Sequence, residues 1–168
     1  MPVIAWLKAG EELALTQAVV VPEWTNALGH VRAAQYVALF DDAVMAFFPQ
    51  TGLTDAGLRH AGTSPFLRDL HACYLRELTA GQRVRITVQV LGYDERRAHI
   101  ILLMREADTE DLVATCELAI LNVGLAGRRP APWSAAQLPI WRALADAHAT
   151  VPRPAQAGRA VQAITRSM

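Results

Sequence analysis

Residues 29–48 limit what this chain can fold into more than any other stretch. Val37, Phe40, Val44, Phe47 and Phe48 recur at three- and four-residue steps, the spacing of a helix. Only Arg32, Gln35 and Asp42 form a polar stripe opposite them. A helix with so wide an apolar arc is buried on most of its sides, so the rest of the chain has to wrap it. The segments that follow have the right pattern. Val84, Ile86, Val88 and Val90 share one face against Arg83, Arg85, Thr87 and Gln89, the alternation of a half-buried strand. Residues 98–105 are nearly all apolar, which predicts a strand covered on both faces. Residues 112–123 put Val113, Thr115, Glu117, Ala119 and Leu121 on one side. The links at 92–96 and 107–111 are short and polar, as antiparallel hairpins require.

The remaining segments fit round this unit. The run Ala18-Val19-Val20-Val21 predicts a strand over residues 17–22, stopped by Pro22. Residues 64–78 suit either period. Leu67, Leu70, Tyr74, Leu75 and Leu78 make a helical stripe, whereas a strand sets Asp69, His71 and Cys73 on one face. Position ahead of an antiparallel series favours the strand. Residues 50–63 read as loop, and Pro49 as the end of the long helix. A second helix is expected over 134–149, with Leu138, Trp141, Leu144, Ala145 and His148 on its apolar stripe. The expected organisation is a helical or irregular lead-in at 1–16, one domain at 17–125, and a helix with an extended arm at 126–168.

Composition removes several functions. The chain of 168 residues is 52% hydrophobic and 19% charged, a packed globular composition. Sixteen basic residues balance sixteen acidic ones, so no overall field attracts nucleic acid or an acidic membrane. Charged residues interrupt every apolar run before it could span a bilayer. Cys73 and Cys116 stand alone without metal-ligand spacing, and read as core residues of a reducing, cytoplasmic compartment. No P-loop, dinucleotide fingerprint, H-E-x-x-H or G-x-S-x-G occurs.

Chemistry concentrates where the long helix is expected to open, at Gly29-His30-Val31. A Gly lets a ligand approach the backbone. Free N–H groups and the positive helix end can then hold a developing oxyanion. The plainer alternative is an ordinary helix start with a tight-turn Gly.

The string Val21-Pro22-Glu23-Trp24-Thr25-Asn26-Ala27-Leu28-Gly29-His30-Val31, with Tyr36 and Phe40 beyond it, resembles the signature of hotdog-fold acyl-CoA thioesterases, D-x-x-G-H-V/M-N followed by a Tyr and a Phe. Asn26 stands where those enzymes usually have Asp. Further motifs resemble those of betainyl-CoA thioesterase-type domains. They are Asp69-Leu70-His71-Ala72-Cys73-Tyr74-Leu75-Arg76-Glu77-Leu78 for E-x-H-x-x-Y-L-x-E-L, Gly81-Gln82-Arg83-Val84, Asp94 to His99, Ala114-Thr115-Cys116-Glu117, and Gly158-Arg159.

The resemblance implies an α+β hotdog fold, an antiparallel β-sheet wrapped around a long central α-helix, here with a C-terminal helix. It implies hydrolysis of a small acyl-CoA by a homodimer or dimer of dimers, without metal or redox cofactor. The carbonyl would sit at the amides of Gly29, His30 and Val31. Asp69, at the Glu position of E-x-H, would activate water, with His71 on its face; Asn26 and His30 would position the reactants. Trp24, Tyr36 and Phe40 would line the acyl pocket; Asp41, set by its helical angle among the apolar positions Val37, Val44 and Phe48, is read from the residues themselves as lying at a subunit interface or against the substrate. Each residue has a structural alternative: Asn26 a turn or cap, Asp69 a partner for Arg68 or Arg76, His71 a satisfied strand residue, the aromatics plain core. A hotdog hydratase or dehydratase, and an acyl-CoA-binding protein silenced by Asn26, are the rival functions.

Overall fold

Helix α1, Ala33–Gln50, buries Tyr36, Leu39, Phe40, Ala43, Val44, Phe47 and Phe48 in the computed structural model, which describes residues 7–161. Those side chains pack on one face of an antiparallel sheet. Its strands are β1 Leu13–Val19, β2 Thr63–Tyr74, β3 Arg83–Tyr93, β4 Arg97–Glu106, β5 Leu112–Gly124 and the two-residue β6 Arg129–Pro130. Their order is β1-β3-β4-β5-β2, with β6 added to β5. β1 and β2 are therefore the two ends of the main path. A short helix α2, Asp55–Ala61, precedes β2, and α3, Leu138–His148, follows β6.

The inner face of the sheet, toward α1, carries the alternating residues the sequence marked. Val84, Ile86, Val88 and Val90 of β3 join Ile100, Leu102 and Met104 of β4 in one core with the α1 aromatics. α3 closes one end of that core. Trp141 is fully buried, with its ring centroid 5.9 Å from Phe47 and 5.1 Å from Trp133.

The outer face explains why β4 is apolar on both sides. Gln89, Ile101, Glu117 and His71 stand directly opposite one another across β3, β4, β5 and β2. The chain beyond α3 crosses this row. Gln89 Nε2 donates to the Val151 carbonyl at 3.0 Å, and the Gly158 N–H donates to both carboxylate oxygens of Glu117, at 2.9 and 2.8 Å. Ile101 lies between these two attachment points and is 0% exposed.

Several expectations are corrected. β1 starts at Leu13, not residue 17, so the lead-in is irregular only over its described part, 7–12. Residues 1–6 of the lead-in and 162–168 of the arm lie outside the described residues. The supposed loop at 50–63 contains α2, capped by Thr54, whose side chain accepts the Gly57 N–H, and closed by left-handed Gly62. The ambiguous segment is a strand as expected, running from Thr63 to Tyr74 and not on to Leu78. Most important for function, α1 opens at Ala33 and not at Gly29.

Candidate active site at the start of the central helix

Residues 24–32 form a hairpin-like turn ahead of α1. Thr25 and Val31 pair as an antiparallel bridge, and the Asn26 N–H donates to the His30 carbonyl at 2.8 Å. Gly29 sits at φ +82°, in the left-handed region that favours glycine. Asn26 ties the turn together, because its Oδ1 accepts the N–H groups of Leu28 at 2.9 Å and His30 at 3.2 Å. An aspartate would accept the same two bonds. Asn26 thus keeps the geometry of this turn and drops only its charge.

This geometry reassigns the free amides. The Gly29 N–H donates to the Asn26 carbonyl at 2.9 Å, that of His30 to Asn26 Oδ1, and that of Val31 to the Leu78 carbonyl at 2.9 Å. All three expected donors are therefore engaged within the chain. Arg32 is the extended N-cap of α1 and gives no side-chain cap. The N–H groups of Ala33 and Ala34 have no acceptor among the described residues, as expected in the first turn of an uncapped helix. They carry the positive end of an 18-residue helix.

Ala33 and Ala34 each line a cavity. One, of about 290 Å³, is bounded by Val31, Ala33, Tyr36, Tyr74, Leu75, Arg76 and Glu77. The other, of about 340 Å³, runs between α1 and the sheet and is lined by Ala34, Val37, Ala38, Phe40, Asp41, Val44, Leu67, Leu70, Cys116 and Leu118. Among the described residues Asp41 is its sole charged lining residue. In the first cavity the Tyr36 and Tyr74 rings meet edge to face, 5.4 Å between centroids. Tyr74 Oη donates to the Ala33 carbonyl at 3.3 Å and Tyr36 Oη to the Arg76 carbonyl at 3.4 Å. Burial raises the Tyr36 pKa above its ordinary value, with the Glu77 charge adding to the effect, so the phenol stays a neutral donor. In the second cavity burial pushes the Cys116 thiol up to about 12, so it stays a thiol and adds no charge to the groove.

Of the residues singled out in sequence, the turn and helix start gather Trp24, Asn26, Gly29, His30, Val31 and Tyr36, while Phe40 and Asp41 line the adjoining groove. Trp24 is half-buried against the core, and Phe40 is a core residue whose edge reaches the groove. Asp69 and His71 are not brought there within the chain. Asp69 pairs with Ala119 and His71 with Glu117, which places both on the outer face, whereas Leu70 opposite Leu118 faces α1. The Asp69 side chain is 77% exposed, and its nearest charged partner is Arg68 at 4.0 Å. His71 keeps a buried Nδ1 with no partner among the described residues. Beside it, Glu117 contacts His99 Nε2 at 2.6 Å and holds Gly158.

Glu77 lies in the stretch from Asp69 to Leu78, just beyond β2. Its Oε2 lies 3.3 Å from His30 Nε2. His30 also pairs with Thr79 as an antiparallel bridge, which sets the two segments side by side. No local pattern relates residues 30 and 77; only the fold does.

Comparison with known proteins agrees with this architecture. Residues 20–140 match the family model of the thioesterase-like superfamily. A betainyl-CoA thioesterase of Pseudomonas aeruginosa is 34% identical over 142 residues, covering 84% of this chain and 89% of its own. A Staphylococcus aureus protein solved in complex with CoA superposes with a TM-score of 0.80 at 22% identity, covering 93% of this chain and 98% of that one. A Pseudomonas putida protein solved as a candidate thioesterase gives 0.77 at 25% identity, covering 92% and 99%. With a central helix wrapped by an antiparallel sheet and a family match over most of its length, the chain belongs to the thioesterase-like superfamily, as a hotdog-fold thioester hydrolase.

Proposed function

We propose that this protein hydrolyses the thioester of a small acyl-CoA, with the carbonyl oxygen held by the Ala33 and Ala34 N–H groups. The observation that carries this reading is the pair of amides at the start of α1 without an acceptor among the described residues, on two residues that each line a cavity. Charge that develops on the carbonyl as water attacks is stabilised by donors already in place. The acyl group enters the groove between α1 and the sheet, and a carboxylate assists the attacking water. Asp41 in that otherwise apolar groove suits a cationic acyl group, in keeping with the betainyl-CoA thioesterase among its relatives.

The working species in this proposal is a homodimer. β2 is a 12-residue edge strand that exposes Phe66, Leu67, Leu70 and Tyr74. Next to it α1 exposes Ala34, Ala38 and Met45. An uncovered edge with apolar side chains is a pairing surface, and a second copy of the chain covers edge and groove together. Cytoplasmic location follows from the same proposal, since acyl-CoA is an intracellular substrate class and both cysteines are free.

The test is release of the CoA thiol from a panel of short, branched, aromatic and cationic acyl-CoAs. Turnover is expected, highest for a small acyl group and raised by a cationic one. Binding of acyl-CoA without turnover, or hydration of an enoyl-CoA without thiol release, overturns the proposal.

A further inference from the structure

We infer that Glu77 is the carboxylate of this site, acting through His30. The inference rests on the hydrolytic reading above and names the base that reading leaves open. Asn26 has no charge to offer, and the Asp69 carboxylate lies on the outer face of the sheet, away from α1. Glu77, in contrast, borders the same cavity as Ala33. It sits 3.3 Å from His30 Nε2, and His30 is held beside Leu78 and Thr79 by the Val31 N–H bond to the Leu78 carbonyl and the bridge to Thr79. Two backbone attachments thus set the His30 segment beside the segment after β2 that carries Glu77.

The pairing assigns the ring nitrogens. With Nε2–H donating to the Glu77 carboxylate, Nδ1 is left as the acceptor of the neutral ring. A water that hands its proton to Nδ1 adds its oxygen to the thioester carbon, and the new oxyanion lies at the Ala33 and Ala34 amides. The tetrahedral adduct then collapses. Its C–S bond breaks, the proton on Nδ1 passes to the departing sulfur, and the products are the free acid and the CoA thiol. Glu77 is a positioning residue in this scheme: it holds one tautomer and balances the transient imidazolium charge.

The pair is also suited to a clean test. The His30 and Glu77 side chains are 40% and 67% exposed, and exposed ion pairs add little to stability. Loss of function on substitution is therefore separable from unfolding. Glu77→Gln is expected to lower kcat about 10- to 100-fold, less than the roughly 10⁴-fold lost at a buried positioning carboxylate because this pair is largely exposed, with KM and melting temperature nearly unchanged. Glu77→Asp should recover part of the loss. His30→Gln should cost more than Glu77→Gln, and the double variant no more than His30→Gln alone, because the two act as a unit. Asp41→Asn and Asp69→Asn are measured in parallel with the same acyl-CoA. Full kcat in Glu77→Gln, a multiplicative loss in the double variant, or a kcat collapse confined to Asp41→Asn or Asp69→Asn overturns the inference while leaving thioester hydrolysis standing. A wild-type protein that releases no CoA thiol takes both down together.

Discussion

Replacing Ala33 by proline removes one backbone donor and almost nothing else. Ala33 is the first helical residue of α1, and its N–H has no acceptor among the described residues. Proline is favoured at that position, where the missing N–H is an orphan and the fixed φ suits the helix. The residue before a proline must be extended, and Arg32 already is, at φ −68° and ψ 142°. The bond from Tyr74 Oη goes to the Ala33 carbonyl, which proline retains. Stability should therefore hold or rise by up to about 1 kcal/mol, through the stiffer unfolded chain. Turnover should not hold. Removing one oxyanion donor typically costs about 10²- to 10³-fold in kcat, roughly 2.7–4 kcal/mol of barrier. Ala33→Val supplies the control, adding similar bulk while keeping the N–H. CoA thiol release and thermal unfolding, run on all three proteins, decide the matter. A folded Ala33→Pro protein with wild-type kcat refutes the reasoning, and so does an Ala33→Val protein as slow as the proline variant.

Three further outcomes follow from the same geometry. Gly29→Ala meets no neighbour among the described residues within 4 Å of the new Cβ but must adopt φ +82°, so it should cost about 1–2 kcal/mol as pure backbone strain; denaturant titration checks this, and an unchanged midpoint contradicts it. Leu70→Asp puts a charge on the exposed edge of β2, and light scattering should show it as a monomer while the wild type is expected to run as the proposed dimer. Burial holds the His148 pKa below its ordinary value of 6.5, outweighing the pull of the Glu12 charge, and the Val90 N–H donates to its Nδ1 at 2.9 Å. The unfolded chain then binds the proton first, so this contribution is full above about pH 6.5 and is lost as pH falls below it; melting curves from pH 7.5 to 5 should fall more steeply for wild type than for His148→Gln.

The sequence carried the fold much further than the site. Alternation on β3 and β5 and the apolar run of β4 were legible because each reports a sheet face directly. The start of α1 was misread because no Ser, Thr, Asp or Asn caps it: Arg32 holds that place without a side-chain bond, while Gly29 imitates a helix boundary and in fact makes a left-handed turn. α2 was missed although Thr54 and Gly62 are ordinary start and stop residues, because the segment between them is too short to show a period. Alternation correctly grouped Asp69, His71 and Cys73 on one face. It could not say which face, since that depends on their partners in β5 and on the register shift between Leu67 and Asp69. Glu77 and His30 meet only through the tertiary bridge at Thr79.

The central claim is a carbonyl held at the first turn of α1. A crystal structure with a CoA ketone analogue, in which methylene replaces the thioester sulfur, tests it most directly. The predicted result is a ketone oxygen about 2.7–3.1 Å from the nitrogen of Ala33 or Ala34, with the acyl chain in the groove beside Asp41 and the Glu77–His30 pair next to the carbonyl carbon. A ketone oxygen bound elsewhere, at the Gly29–Val31 turn or on the outer face beside Asp69, contradicts the account.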